Sequence, residues 1–390
     1  MTEAGIPAWR YTERLAAARR QAAAAGLDAL LVGVGADLRY LAGYEAMPLE
    51  RLTMLVVPAA LGAPLTLIAP RLEVTPARAC PAGASGAVEI ATWEETEDPM
   101  ALVAAILVTA LGREAASVRA VAVSDGLRAA FVLGLQRVLP GARFSLTSAV
   151  LRRLRMRKDA DEVALLREAA HAADRVVAMT AAGRLVGRTE ADVAREIRGR
   201  LVDEGHDHAE FWIVASGPNS ASPHHEPGER VIAAGEPIVI DIGGAFGGYG
   251  SDITRTVWVT GGDGAMGPDA DFLSLYGVLQ AAQADATAAV RPGVPCERID
   301  AVARERIHAA GFGPNFFHRT GHGIGLEGHE EPYLVAGSTE PLAPGMAFSV
   351  EPGIYLEGRY GARIEDIVVC GESGPMVLNE LSRDLVVVAG

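Results

Sequence analysis

Two segments of the chain set acidic side chains at matched positions across glycine-rich turns. In the first, Pro237-Ile-Val-Ile-Asp241-Ile-Gly-Gly runs through Ala245-Phe-Gly-Gly-Tyr-Gly250 into Ser251-Asp252-Ile-Thr-Arg-Thr-Val. Folded as a hairpin symmetric about Phe246 and Gly247, it sets Asp241 directly opposite Asp252, with Cβ atoms about 5 Å apart. In the second, Ala347-Phe-Ser-Val-Glu351-Pro-Gly-Ile-Tyr355 turns through Glu357-Gly-Arg into Ala362-Arg363-Ile-Glu365, and symmetry about Gly358 sets Glu351 opposite Glu365. Like charges so placed repel unless a proton or a cation sits between them. One pair alone reads as a surface hairpin. Two pairs, in strands that are otherwise apolar, point to a cation site.

The imidazole such a site needs is in His318-Arg-Thr-Gly-His322-Gly-Ile-Gly-Leu-Glu-Gly-His329, where glycines on both sides of His322 let backbone approach closely. Four carboxylates and one imidazole suit two divalent cations roughly 3.5 to 4 Å apart, with a bridging water of lowered pKa. That is hydrolytic equipment. His224, in Ser222-Pro-His224-His225, and His329 are able to move protons or steady an oxyanion. His225 reads as a neighbour of the site, His206 and His208 as loop or surface residues, and His171 as packing or surface within a helix.

Composition removes several rival chemistries. The net charge of -14 disfavours a nonspecific grip on nucleic acid or anionic membrane. Lys158 is the sole lysine and has no glycine-rich lead-in, which removes Schiff-base and Walker-type phosphate chemistry. Cys80, Cys296 and Cys370 are too scattered for a disulfide framework or a thiolate metal knuckle and read as buried free thiols. No apolar run reaches the length of a bilayer span, so the expectation is a soluble, cytoplasmic protein.

The elements that must position these residues are legible too. With 390 residues the chain is long enough for two or three domains of roughly 150 residues each. Residues 1–150 show a helix over 11–25 and short apolar runs at 27–32, 52–57, 65–69 and 120–123, a compact α/β domain without a histidine. Residues 151–390 begin with a capping pattern at Asp159 and Glu162, a long helix to about 182, and a second helix capped by Thr189. Helices from about 271 and 297 then precede the second acidic hairpin. The first acid of each hairpin lies 82 residues after Asp159 and 81 after Ala270, which suggests a duplication of about 100 residues.

Together these segments resemble the pita-bread metallopeptidases, most closely their proline-specific branch, Xaa-Pro dipeptidase (prolidase) and Xaa-Pro aminopeptidase. The resemblance runs from about residue 150 to the C-terminus, with a weaker match at 35–44 to the N-terminal domain those enzymes carry. It implies an α+β pita-bread catalytic domain at 151–390 behind an α/β creatinase/prolidase-like domain at 1–150. It implies that Asp252 and Glu365 bridge two metals, that Asp241 completes one ion, and that His322 and Glu351 complete the other. By the same resemblance Glu351 handles the proton of the attacking water, His224 and His329 act in catalysis, and His318, Tyr355 and Arg363 bind or orient substrate. Gly328 departs from the aliphatic residue common in relatives.

The implied substrate is a small peptide with proline at the second position, and the implied assembly is a homodimer. Mn2+ is the expected metal because four of the five ligands are carboxylates, with Co2+, Fe2+ or Zn2+ as alternatives. Dipeptidase is preferred over aminopeptidase because the chain shows no added domain or long insertion. A metal-free creatine amidinohydrolase and a non-catalytic scaffold on the same fold are disfavoured by the intact set of five ligand positions.

Overall fold

The computed structural model describes residues 5–390, which divide into two compact units, Ile6–Arg155 and Met156–Gly390. The first holds a six-stranded mixed sheet: β1 (Ala29–Gly33), β2 (Met54–Pro58), β3 (Thr66–Pro70), β4 (Glu89–Trp93), β5 (Ala120–Val123) and β6 (Arg143–Leu146), in the order β4-β3-β2-β1-β5-β6. The four strands announced by apolar runs are its buried centre. Leu31, Val56, Ile68 and Val121 pack there with Val103 and Leu107 of the helix Pro99–Leu111 and Leu135 of Ala129–Val138. The edge strands β4 and β6 are largely exposed and carry no apolar run. The helix Ser148–Arg155 closes this unit.

The second unit builds one pattern twice. Its first helix, Ala160–Ala182, opens with the expected reciprocal cap: Asp159 accepts from the Asp161 and Glu162 amides, and Glu162 accepts from the Asp159 amide. The second, Glu190–Asp203, is capped by Thr189. Ala173, Val176, Val177, Val193, Ile197 and Leu201 of this helix pair pack on Ile238, Ile240 and Ile242 of β8 (Glu236–Phe246) and on Ile253 and Val257 of β10 (Ile253–Val259). The sheet is completed by β7 (His208–Ser216), the short β9 (Tyr249–Gly250) and, at the far edge, the late strand β18 (Val386–Val388).

In the second copy, helices Ala270–Ala288 and Cys296–Ala309 cover β11 (Gly321–Gly323), β12 (Glu330–Leu334), β13 (Ala347–Val350), β16 (Asp366–Cys370) and β17 (Pro375–Val377), with β14 (Gly353–Leu356) and β15 (Tyr360–Arg363) as a separate hairpin. Phe348, Val350, Val368 and Cys370 face the helices. Side chains alternate along a strand, so burying the even positions of β8 and β13 aims Asp241 and Ser349 at the opposite face.

The registers correct one expectation. β8 pairs with β10 so that Asp241 faces Thr254, and with β9 so that Phe246 faces Tyr249. The turn is therefore Gly247-Gly248, at φ 56° and 85°. A two-residue hairpin turn of this kind needs positive φ at both central positions, which Phe246 tolerates poorly and two glycines supply. Asp241 and Asp252 are thus not directly opposed but diagonal, offset by two positions. A slip of two leaves a residue on the same face, so both acids still point to the same side. In the second copy the register is as expected: Val350 pairs with Asp366 and Gly353 with Arg363, which sets Glu351 against Glu365 at the gap between the two ladders.

Candidate metal centre

A cavity of about 610 Å³ opens on this shared face, and Asp241, Asp252, His322, Glu351 and Glu365 all line it. Thr254 joins the two copies. It faces Asp241 within the first ladder, forms an isolated bridge with Glu365, and donates its hydroxyl to Glu365 Oε2 at 2.7 Å. One row of backbone pairing thereby brings a carboxylate of each hairpin alongside the other. Among the described residues, Asp252, His322 and Glu365 form the group whose ligand atoms all lie within 4.8 Å of one another.

His322 sits in β11, where a Cβ at Gly321 would run into the Ser349 carbonyl and one at Gly323 into the Glu331 carbonyl. Only glycine lets these strands close around the imidazole. The ring's Nδ1 lies 3.1 Å from the Gly323 carbonyl, which fixes the proton there and turns Nε2 toward Glu351 Oε1 at 3.3 Å and Asp252 Oδ2 at 3.6 Å. Burial, followed by the neighbouring His329, lowers its pKa to about 3, so the ring is neutral and Nε2 is a free ligand atom.

The carboxylates are crowded. Burial, then Asp241 and Glu351, pushes Asp252 well above the usual carboxylate range, and burial with Asp252 and Glu351 does the same for Glu365. Burial raises Glu351 to about 7, against the opposing pull of Arg363. Asp241 Oδ1 and Glu365 Oε1 are buried with no hydrogen-bond donor. Orphan anionic oxygens, packed acids and a neutral imidazole fit divalent cations, which would remove the repulsion that the metal-free group otherwise relieves by taking up protons.

The remaining predicted residues surround this group. Arg363 is buried, pairs with Asp241, and donates to Tyr355 Oη at 2.8 Å and to the Pro223 carbonyl at 3.3 Å. His318 turns Nδ1 to the Arg319 carbonyl at 2.7 Å, and its Nε2 accepts from the Tyr355 hydroxyl at 2.9 Å. Burial, then Arg363, lowers His318 to about 4, and burial raises Tyr355 to about 12. A neutral chain from His318 through Tyr355 thus ends on Arg363, which pairs with Asp241. His224 and His329 are exposed and line the cavity, with the His329 ring centroid 3.7 Å from that of His322.

The sequence profile of metallopeptidase family M24 matches residues 164–372, and that of the creatinase/prolidase N-terminal domain matches 14–157. The chain belongs to metallopeptidase family M24. It is 46% identical over 379 residues to a probable dipeptidase PepE of Mycobacterium tuberculosis, covering 97% of this chain and 96% of that one. It is similar to the crystal structure of dipeptidase PepE from Mycobacterium ulcerans, at TM-score 0.90 and 45% identity over 98% of this chain and 99% of the other. A prolidase from Thermococcus sibiricus superposes at TM-score 0.86, with 33% identity over 97% and 99% of the two chains. The M24 fold, a pita-bread catalytic domain behind a creatinase/prolidase-like domain, is the one expected from the sequence.

His206 keeps the loop position expected of it but not the exposure. His206 is not a surface residue: it is 3% exposed, with Nδ1 on the Leu201 carbonyl at 3.1 Å and Nε2 on Ser251 Oγ at 2.8 Å. Glycine at 205, with φ 105°, ends the preceding helix and turns the chain inward, which is the signal that was available. His225 is a neighbour of the site, as expected, outside the cavity lining, with its Nε2 donating to the buried Glu190 at 2.7 Å. His208 is exposed, as expected. Arg319, Phe211, Ile213 and Phe317 also line the cavity and carried no signal beyond their nearness to the histidines.

Proposed function

We propose that this M24 metallopeptidase hydrolyses dipeptides of the Xaa-Pro type. The observation that carries the reading is the convergence of four carboxylates and His322 on one cavity; its support is the likeness to dipeptidases and a prolidase over nearly the whole chain. The peptide bond before proline lacks an N–H, so catalysis must act on the carbonyl and the imino nitrogen alone.

Asp252 and Glu365 would bridge two divalent cations, Asp241 would complete one, and His322 and Glu351 the other. When bound, the cations supply a water of lowered pKa and polarise the scissile carbonyl. Carboxylate-rich coordination favours Mn2+, with Co2+, Fe2+ or Zn2+ as alternatives. Glu351 would take the proton of the attacking water on its carboxylate and pass it to the proline nitrogen as the C–N bond breaks. His224 and His329 donate hydrogen bonds to the carbonyl oxygen as charge develops on it. His318 and Arg363 line the cavity as a wall that would orient the substrate, with Tyr355 behind them hydrogen-bonded to both. The three cysteines are buried free thiols, in keeping with a reducing cytoplasm, and the working unit is taken as a homodimer.

The test is hydrolysis of Gly-Pro against an Xaa-Pro-Pro peptide by the manganese-loaded chain. Cleavage of the dipeptide, with the longer peptide slower by tenfold or more, is expected. Cleavage of the longer peptide alone would make the chain an Xaa-Pro aminopeptidase.

A further inference from the structure

Each copy of the duplicated unit buries, in its second helix, a carboxylate that belongs to neither acidic pair. Glu190, in the first turn of the helix Glu190–Asp203, is 0% exposed, and Asp300, in the helix Cys296–Ala309, is 1% exposed. They occupy the second helix of their respective copies, and their hydrogen bonding is alike in detail. Ser216 donates both its amide, at 2.8 Å, and its hydroxyl, at 2.7 Å, to Glu190 Oε1. Thr320 donates both its amide, at 3.0 Å, and its hydroxyl, at 2.8 Å, to Asp300 Oδ1.

From each carboxylate a second link runs to a histidine-bearing loop. Glu190 Oε2 accepts from His225 Nε2 at 2.7 Å, and His225 adjoins His224. The other side of that turn is held by Arg363 on the Pro223 carbonyl, so His224 is pinned between the two. Asp300 pairs with Arg304 at 2.8 Å, and Arg304 in turn donates to the His318 carbonyl at 2.7 Å and the Phe316 carbonyl at 2.9 Å. Thr320, already held by Asp300, accepts at its carbonyl from the Glu351 amide at 2.8 Å. A buried carboxylate bound on one side to a Ser or Thr amide and hydroxyl, and on the other to a functional loop through His225 or through Arg304, fixes that loop, because leaving any of these donors unpaired is costly.

We propose that Glu190 and Asp300 are positioning residues, equivalent members of the two copies, that hold the His224 loop and the His318 loop in place beside the cavity. The effect on catalysis rests on the peptidase reading; the effect on loop order does not. Glu190 lost should loosen the first loop alone, and Asp300 lost the second alone.

The experiment is hydrogen exchange on the full, manganese-loaded chain, comparing wild type with Glu190→Gln and Asp300→Asn, together with manganese stoichiometry and kinetics on whichever peptide the wild type cleaves. The expected result is at least tenfold faster exchange over residues 222–228 in Glu190→Gln and over 316–320 in Asp300→Asn, each without the other. Manganese stoichiometry stays at the wild-type value while kcat/KM falls tenfold or more. Should either variant fail to fold, Ser216→Ala and Thr320→Val each delete a single hydroxyl donor and give the same loop-specific pattern at smaller amplitude. Uniform loosening of both loops, loss of metal in proportion to activity, or unchanged exchange would overturn the proposal. Absence of Xaa-Pro cleavage by the wild type would sink the peptidase reading, while the exchange pattern would still decide this one.

Discussion

The two copies of the catalytic unit solve one problem with different local geometry. In the first, β8 runs unbroken through Asp241, while Asp252 falls in the gap between β9 and β10 and lies diagonally across from it. In the second, the ladder opens between β13–β16 and β14–β15, and Glu351 and Glu365 meet there face to face. Three of the four acids thus sit where strand pairing is interrupted. An interruption releases a side chain from the strict alternation of the pleat and re-aims it, as bulges beside active sites do. The difference teaches that the duplicated fold supplies the face, and local breaks in pairing supply the aim.

The largest effect expected is from removing an acid proposed to serve both ions. Glu365→Gln and Asp252→Asn should each lower kcat/KM at least a thousandfold and drop bound manganese below one ion per chain, read by elemental analysis. Asp241→Asn, on the unbroken strand, should spare one ion. Equal losses from all three would erase the distinction between bridging and terminal acids.

A second expected outcome concerns pH in the metal-stripped chain. The folded-state pKa of Glu351 is raised to about 7, above an unfolded value of about 4.3, and Asp252 and Glu365 are also raised. Groups raised on folding stabilise the folded chain fully below their unfolded pKa, and lose that contribution as pH climbs through the folded value. His318 and His322, lowered by burial to about 4 and 3, act in the opposite sense up to their unfolded value of about 6.5. The melting temperature of the stripped chain should therefore fall from about pH 7 to pH 9, and manganese should restore it most at the upper end. Thermal scans at four pH values check this; a stripped chain that grows more stable over that range contradicts it.

Smaller effects test the turns and the wall. Gly247→Ala forces a positive φ on a side chain and should cost about 1 kcal/mol by denaturant unfolding, as should Gly358→Ala in the other hairpin, where φ is 73°. Only the first should also weaken manganese binding, because its turn sets the diagonal of Asp241 and Asp252. Tyr355→Phe removes the hydroxyl between His318 and Arg363 and should lower kcat about tenfold, a little over 1 kcal/mol, with KM nearly unchanged.

Much of this arrangement was legible in the sequence, and what was missed has physical causes. Caps at Asp159 and Thr189 announce themselves because their partners lie three residues on. The buried strands of the first unit show as apolar runs, whereas β4 and β6 are exposed edges whose residues follow no such pattern. The ligand face was legible because alternation tolerates an error of two positions, and that same tolerance hid the true register of the first hairpin. Glu190 and Asp300 were invisible for another reason. An acid in or near the first turn of a helix is favoured there by the helix dipole and ordinarily faces water. Only the loops that fold over these two make them buried acceptors.

The most direct test of the five-ligand centre is titration of the metal-stripped chain with Mn2+, followed by elemental analysis of wild type beside Glu365→Gln. Two manganese ions per wild-type chain and fewer than one in the variant are predicted. A wild-type chain that takes up no manganese, or a variant that still takes up two ions, would contradict the account.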